Sequence, residues 1–280
     1  MKRARLAFLV VPVVLAACSS SPHVSAPTIA PARTFQLAGF EPAQPVQPGR
    51  ATTLAFTIDQ PSGAPLTRYR RGPGPHTGVH LIVVRDDLAG PMIHHHPPVG
   101  TDGHVSDRMT FATPGRYRVL IDVYPASGPQ RNFQLFRTIE VAGAYSPRPI
   151  PPFAPSVDVG GYRITIHGKP KLRAIQSAFL TVTVADAGGR PARFTPWFGA
   201  LAHAIFFRAG TLSYFHTHVC GANTPACAGA FGATRISGHS STPGRLSVGV
   251  LLPQSGTWRL FLQCKAGGTV LTAPFTLRVR

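Results

Sequence analysis

"VHLIVVRDDLAGPMIHHHP" (residues 79–97) and "AHAIFFRAGTLSYFHTHV" (residues 202–219) are two versions of one unit. Each is an apolar run entered at a histidine, a short connection, and a return run that ends in His-x-His. Leu81 and Val83 alternate with Ile82 and Val84, which puts the two pairs on opposite faces of one strand. The likeness extends in both directions. "TTLAFTIDQPSGAPLTRY" (52–69) matches "AFLTVTVADAGGRPARFTPW" (178–197), and "FATPGRYRVLIDV" (111–123) matches "LPQSGTWRLFLQC" (252–264). An internal repeat of this length predicts a duplicated domain.

Each copy contains about seven short alternating runs separated by Gly- and Pro-containing turns, which predicts an all-β chain. Gly115-Arg116-Tyr117 and Gly256-Thr257-Trp258 place a large aromatic at the start of a late strand, the position of the tyrosine corner in immunoglobulin-like sandwiches. The predicted architecture is two tandem Ig-like β-sandwiches, with a cupredoxin-like sandwich as the competitor. "AYSPRPIPPFAPS" (144–156) carries five prolines and reads as an extended, semi-stiff linker. The predicted domains are 35–143 and 157–280.

The start of the chain reads as an export signal. Lys2, Arg3 and Arg5 precede an apolar run from Leu6 to Ala17, too short to span a bilayer. Leu15-Ala16-Ala17-Cys18 resembles a bacterial lipobox. That resemblance implies a signal peptide over 1–17, cleavage before Cys18, lipidation of its thiol, and a flexible tether over 18–34. The expected location is the outer face of the cell membrane, with the lipid holding the protein there. No later stretch is long and apolar enough for a transmembrane helix.

The formal net charge is +18, yet the bases are scattered singly, and all but Lys2, Lys169, Lys171 and Lys265 are arginine. Scattered bases on an exported chain fit anionic lipid or wall polymers better than nucleic acid.

Seven of the 12 histidines lie in the two hairpins, a concentration that points to a ligand. Aligned, His80 corresponds to His203, His94 to His216 and His96 to His218; His95 falls on the opposite face. Side chains two apart on a strand point the same way, about 6.5–7 Å apart. A hairpin turn then brings His80 or His203 across from its His-x-His pair. Three neutral imidazoles facing one volume suit Zn, Cu, Fe or Ni. Met92 shares the face of His94 and His96, and its soft sulfur favours Cu(I). Protons compete for imidazole, so affinity is expected to fall as pH drops through about 6.5. The opposing reading is that these are solvated strand histidines with no ligand.

These segments, together with "WFGAL" (197–201) and "GTWRLFLQ" (256–263), resemble a family of bacterial exported proteins related to YtkA-like and FixH-like domains. The resemblance covers most of residues 35–280. It implies Ig-like sandwiches and heavy-metal binding, chiefly copper as Cu(I) or Cu(II), outside the cytoplasm. Val219 stands where a proline often follows the His-x-His in that family.

With Cys18 lipidated, three thiols remain, and three cannot all pair within one molecule. Cys220 and Cys227 flank "GANTPA" and could staple it. Cys264, ending the strand that begins at Trp258, would then lie near His203 as a soft ligand. The rival arrangement is a Cys220–Cys264 bridge with Cys227 free.

Catalytic signatures are missing: there is no GxSxG, HExxH or P-loop, and from residue 158 onward the acids are Asp158 and Asp186 alone. Asp86-Asp87 reads as a turn. The expected function is therefore a lipid-anchored extracytoplasmic copper-binding protein, not an enzyme, with another extracytoplasmic metal-handling protein as partner. A metal-free Ig-like adhesion or scaffolding lipoprotein is the alternative.

Overall fold

The computed structural model describes residues 34–70, 78–128, 132–224, 227 and 236–280. The expected signal peptide, Cys18 and all of the expected tether (18–34) except Thr34 lie outside the described residues. Among the described residues every regular element is a strand, and Thr34–Arg280 form one compact unit.

The first repeat contributes β1 (Gln36–Glu41), β2 (Ala51–Asp59), β3 (Val79–Arg85), β4 (Ile93–His95), β5 (Val105–Thr110), β6 (Gly115–Val123) and β7 (Phe133–Val141). They form two antiparallel sheets, β1-β2-β5 and β4-β3-β6-β7. This is an Ig-like sandwich. Alternation builds its core: Leu54, Phe56 and Ile58 from β2 meet Leu81 and Val83 from β3 and Val119, Ile121 and Val123 from β6.

The second repeat contributes β8 (Ser156–Val159), β9 (Tyr162–Ile166), β10 (Ala178–Asp186), β11 (Ala202–Arg208), β12 (Tyr214–Cys220), β13 (Gly238–His239), β14 (Arg245–Val250), β15 (Gly256–Ala266) and β16 (Thr269–Val279). Here the two layers join in one sheet, β16-β15-β11-β12-β13-β14-β10-β9-β8. The short β13 makes the joint, pairing parallel with β12 and antiparallel with β14. Within that order β9-β10-β14 repeats β1-β2-β5, and β12-β11-β15-β16 repeats β4-β3-β6-β7.

The aromatic corner recurs in both copies with the same hydrogen-bond spacing. Tyr117 Oη donates to the Thr113 carbonyl at 2.9 Å, and Trp258 Nε1 donates to the Gln254 carbonyl at 3.0 Å. Gly115 and Gly256 open these strands, both at φ 127°, a conformation an L side chain rarely takes.

The sandwiches meet through the β4-β3-β6 face of the first and the β12-β11-β15 face of the second. β3 is buried at all seven residues, because Leu81 and Val83 enter its own core while Ile82 and Val84 enter the interface. β11, buried at its first six residues, divides its faces likewise, with Phe206 inward and Ile205 and Phe207 in the interface. Leu120, Phe261, Leu88, Met92 and Leu212 complete this third apolar cluster. Leu88 and Leu212, one in each β-hairpin turn, adopt left-handed φ of 55° and 56°. That conformation costs a leucine about 1–2 kcal/mol, and burial of both side chains in the interface offsets it.

The proline-rich linker is docked, not a free spacer. Arg148 donates its backbone N–H to Asp87 and its guanidinium to the Ala89 carbonyl, both at 3.1 Å. Thr276 donates to the Pro151 carbonyl at 2.6 Å, and Ile150 packs on the interface cluster.

Candidate metal centre

Strand register sets the site. His80 lies opposite Asp122 on β6, and Ile82 lies opposite His94 on β4. In the second copy His203 lies between His218 and Gln263, and Ile205 between His216 and Phe261. All these side chains share the faces that meet, so the polar end of the interface receives imidazoles from both repeats. His94 and His203 rings are 5.2 Å apart between centroids, His94 and His216 5.7 Å, and His80 and His216 5.8 Å.

Three groups of potential ligand atoms lie within 4.8 Å of one another: His80–His94–His96, His203–His216–His218, and His80–Asp122–His216. The first two are the triads expected from the repeat. The third crosses between sandwiches. His80, His94, His96, His203 and His218 are buried and His216 is half-buried, so these histidines are not a solvated surface. His95 lies on the opposite face and pairs with Asp107 at 2.7 Å.

Hydrogen bonds from outside the cluster orient the rings. Gln263 Nε2 donates to Thr272, which turns its Oε1 toward His94 Nδ1 at 3.0 Å. His94 therefore donates from Nδ1 and presents the Nε2 lone pair inward. His203 donates from Nε2 to the Trp197 carbonyl at 3.0 Å and presents Nδ1. The His218 ring bonds the Cys227 backbone, while its Nε2 is buried with no hydrogen-bond partner among the described residues. An imidazole whose outer N–H is held by an oxygen is oriented as metal-ligating histidines are. The inward lone pairs currently accept from neighbouring rings, His96 Nε2 to His94 Nε2 and His216 Nε2 to His203 Nδ1, both at 3.2 Å.

Burial favours the neutral form of His216 and His218. Burial pushes His218 down to about 4 and lowers His216 well below the ordinary histidine value, with the neighbouring imidazoles adding to the His216 shift. Asp122 is raised to about 6 by burial, opposed by hydrogen bonds from Gln134 at 2.8 Å and Tyr124 at 3.0 Å. A neutral imidazole is the form that binds metal.

One expected ligand is placed elsewhere, and another packs among apolar side chains. Cys264 pairs with Ala202, one position off His203; a one-residue step reverses the face, so the thiol enters the core of the second sandwich. Burial there raises it to about 12. Met92 keeps the histidine face but belongs to the apolar part of the interface beside Leu88 and Ile82. Its positional counterpart in the second copy is Tyr214, not Cys264. Cys220 and Cys227 form the disulfide, which removes the Cys220–Cys264 alternative.

Sequence reasoning missed Asp122, Gln263, Trp197 and Phe198. The signal for the first two was present: in "RVLIDV" and "RLFLQC" a polar residue interrupts an apolar strand at equivalent positions. Trp197 and Phe198 roof the cluster, with Phe198 stacked on His96 at 3.7 Å and Trp197 edge-on to His94 at 5.5 Å.

The family described as a domain of unknown function (DUF8832) matches residues 156–280, the second sandwich. None of the curated proteins matches this chain. Similar solved structures include the Lin-41 filamin domain, at 15% identity over 42% of this chain and 91% of that one, with a TM-score of 0.27. A Salmonella alpha-2-macroglobulin mutant aligns at 14% identity over 90% of this chain and 15% of that one, with a TM-score of 0.26. The tandem Ig repeats of Dlar align at 9% identity over 89% of this chain and 99% of that one, with a TM-score of 0.23.

Proposed function

We propose that this protein binds copper outside the cytoplasm, in the histidine centre between its two sandwiches, and that it carries the metal without catalytic turnover. The observation that supports this most is the outer hydrogen-bond shell. Gln263, the Trp197 carbonyl and the Cys227 backbone each hold one imidazole so that its other nitrogen faces the cluster. Burying these imidazoles at a contact that apolar residues could fill more favourably has no packing rationale. A scaffold that used its sandwiches only for contacts would fit the fold but would not need this shell. The resemblance to YtkA-like and FixH-like exported domains adds copper as the metal, and half-buried His216 is a point where a metal-handling partner could exchange it.

The test is copper competition titration of the full-length chain in detergent. His80→Gln with His203→Gln should weaken binding strongly, and replacing all six histidines should abolish it. Equal uptake by wild type and the six-histidine variant overturns the reading. We further propose that a lipid on Cys18 holds the protein at the outer membrane face. Cys18→Ala should then move it to the soluble fraction, and unchanged fractionation refutes the anchor.

A further inference from the structure

We propose that the centre takes two copper ions in the monovalent state, one in each histidine triad, with the Asp122 carboxylate as their shared counter-charge. The inference rests on the metal-binding reading and adds stoichiometry and oxidation state to it.

Donor distances argue for two ions. A metal with nitrogen ligands at about 2.0–2.1 Å gathers only atoms within roughly 4 Å of one another. Among the described residues the candidate donors come nearest to that limit in threes, with the atoms of each group within 4.8 Å of one another. His80–His94–His96 and His203–His216–His218 share no residue, so filling one leaves the other complete. The third group, His80–Asp122–His216, takes one histidine from each triad. It places the carboxylate beside both, with His80 Nδ1 at 3.9 Å from Asp122 Oδ2. A single ion there would dismantle both triads.

Charge argues for the monovalent state. The centre is buried, and Asp122 is the carboxylate in its donor groups. Its register counterpart in the second copy is the neutral Gln263. Two divalent ions would bring four positive charges against one negative one in a site shielded from water, and two monovalent ions bring two. Arg259, on the same face of β15 and also buried, makes an excess of positive charge still less favourable. Three imidazoles provide a neutral, trigonal set acceptable to copper.

The test is anaerobic titration of the full-length chain with Cu(I) against a chromophoric chelator, with bound copper counted by mass spectrometry after desalting. Two ions per chain are expected. His94→Ala with His96→Ala, and separately His216→Ala with His218→Ala, should each leave one. X-ray absorption on the loaded wild type should show three nitrogen neighbours per copper, a readout independent of how the variants fold. One copper per wild-type chain overturns this inference while leaving the metal-binding reading intact, and no copper overturns both. Two coppers retained after loss of either triad place the metal elsewhere and overturn it. Two Zn(II) ions bound as tightly as Cu(I) overturn the charge argument.

Discussion

Asp122 and Gln263 occupy the same position in the two repeats, each directly across the strand pair from the first histidine of its copy, His80 and His203. Duplication has left an acid on one side and an amide on the other. The acid supplies charge to the centre; the amide crosses the interface and orients His94 of the opposite sandwich. Gln263→Ala should therefore weaken copper binding about 10–100-fold, as loss of such an outer hydrogen bond does. Competition titration checks this, and an unchanged affinity would show that His94 is oriented by packing alone.

Trp197 reports on the site. The chain has two tryptophans, and Trp258 is fully buried in the core of the second sandwich. Trp197 lies 5.2 Å from the His203 ring and 5.5 Å from the His94 ring. Copper should quench the fluorescence of Trp197, and Trp197→Phe should abolish the change while Trp258 emission stays. Quenching that persists in Trp197→Phe would place the metal elsewhere.

The pH window should lie lower than free histidine suggests. With His218 at about 4 and His216 also lowered, these ligands stay neutral well below the ordinary pKa of about 6.5. Copper affinity should hold as pH falls through 6.5 and decline only toward about 4. A tenfold loss between pH 7 and 6 contradicts this.

Stability of the metal-free protein carries two opposed terms. The depressed histidines contribute stability above about 6.5 that is lost as pH falls toward 4, because only the unfolded chain takes up the protons. Asp122, raised to about 6, acts oppositely: its contribution is present below about 3.8 and lost as pH rises through 6. Asp122→Asn should remove that opposing term and make the loss of stability between pH 6.5 and 4 steeper. Urea midpoints across this range measure it, and a shallower slope in the variant would reverse the assignment.

The cysteines should separate cleanly. Cys264→Ser should leave copper affinity unchanged while lowering stability by about 1–3 kcal/mol, the cost of placing a hydroxyl in an apolar core. Reducing Cys220–Cys227 should instead weaken copper binding, because it releases the segment whose backbone holds His218. Titration of Cu(I) with and without a phosphine reductant distinguishes the two. Loss of affinity in Cys264→Ser would restore the thiol as a ligand.

The sequence alone determined the all-β class, the duplication, the aromatic corner and the membership of each histidine triad. All of these follow from period-two alternation and local turns, which act over a few residues. It did not determine what the histidine faces pack against. Alternation states which side chains share a face, not what lies beyond it. The clue was the apolar character of both faces of "VHLIVVR" and "AHAIFFR", which marks strands buried on both sides. Docking of the two sandwiches placed His94 against Gln263 and moved Met92 into an apolar interface. Strand register, to a single residue, sent Cys264 inward and Gln263 toward the histidine cluster. Both depend on contacts far apart in the chain, and only the tertiary structure decides them, because burial of the two faces against each other is a property of the folded whole.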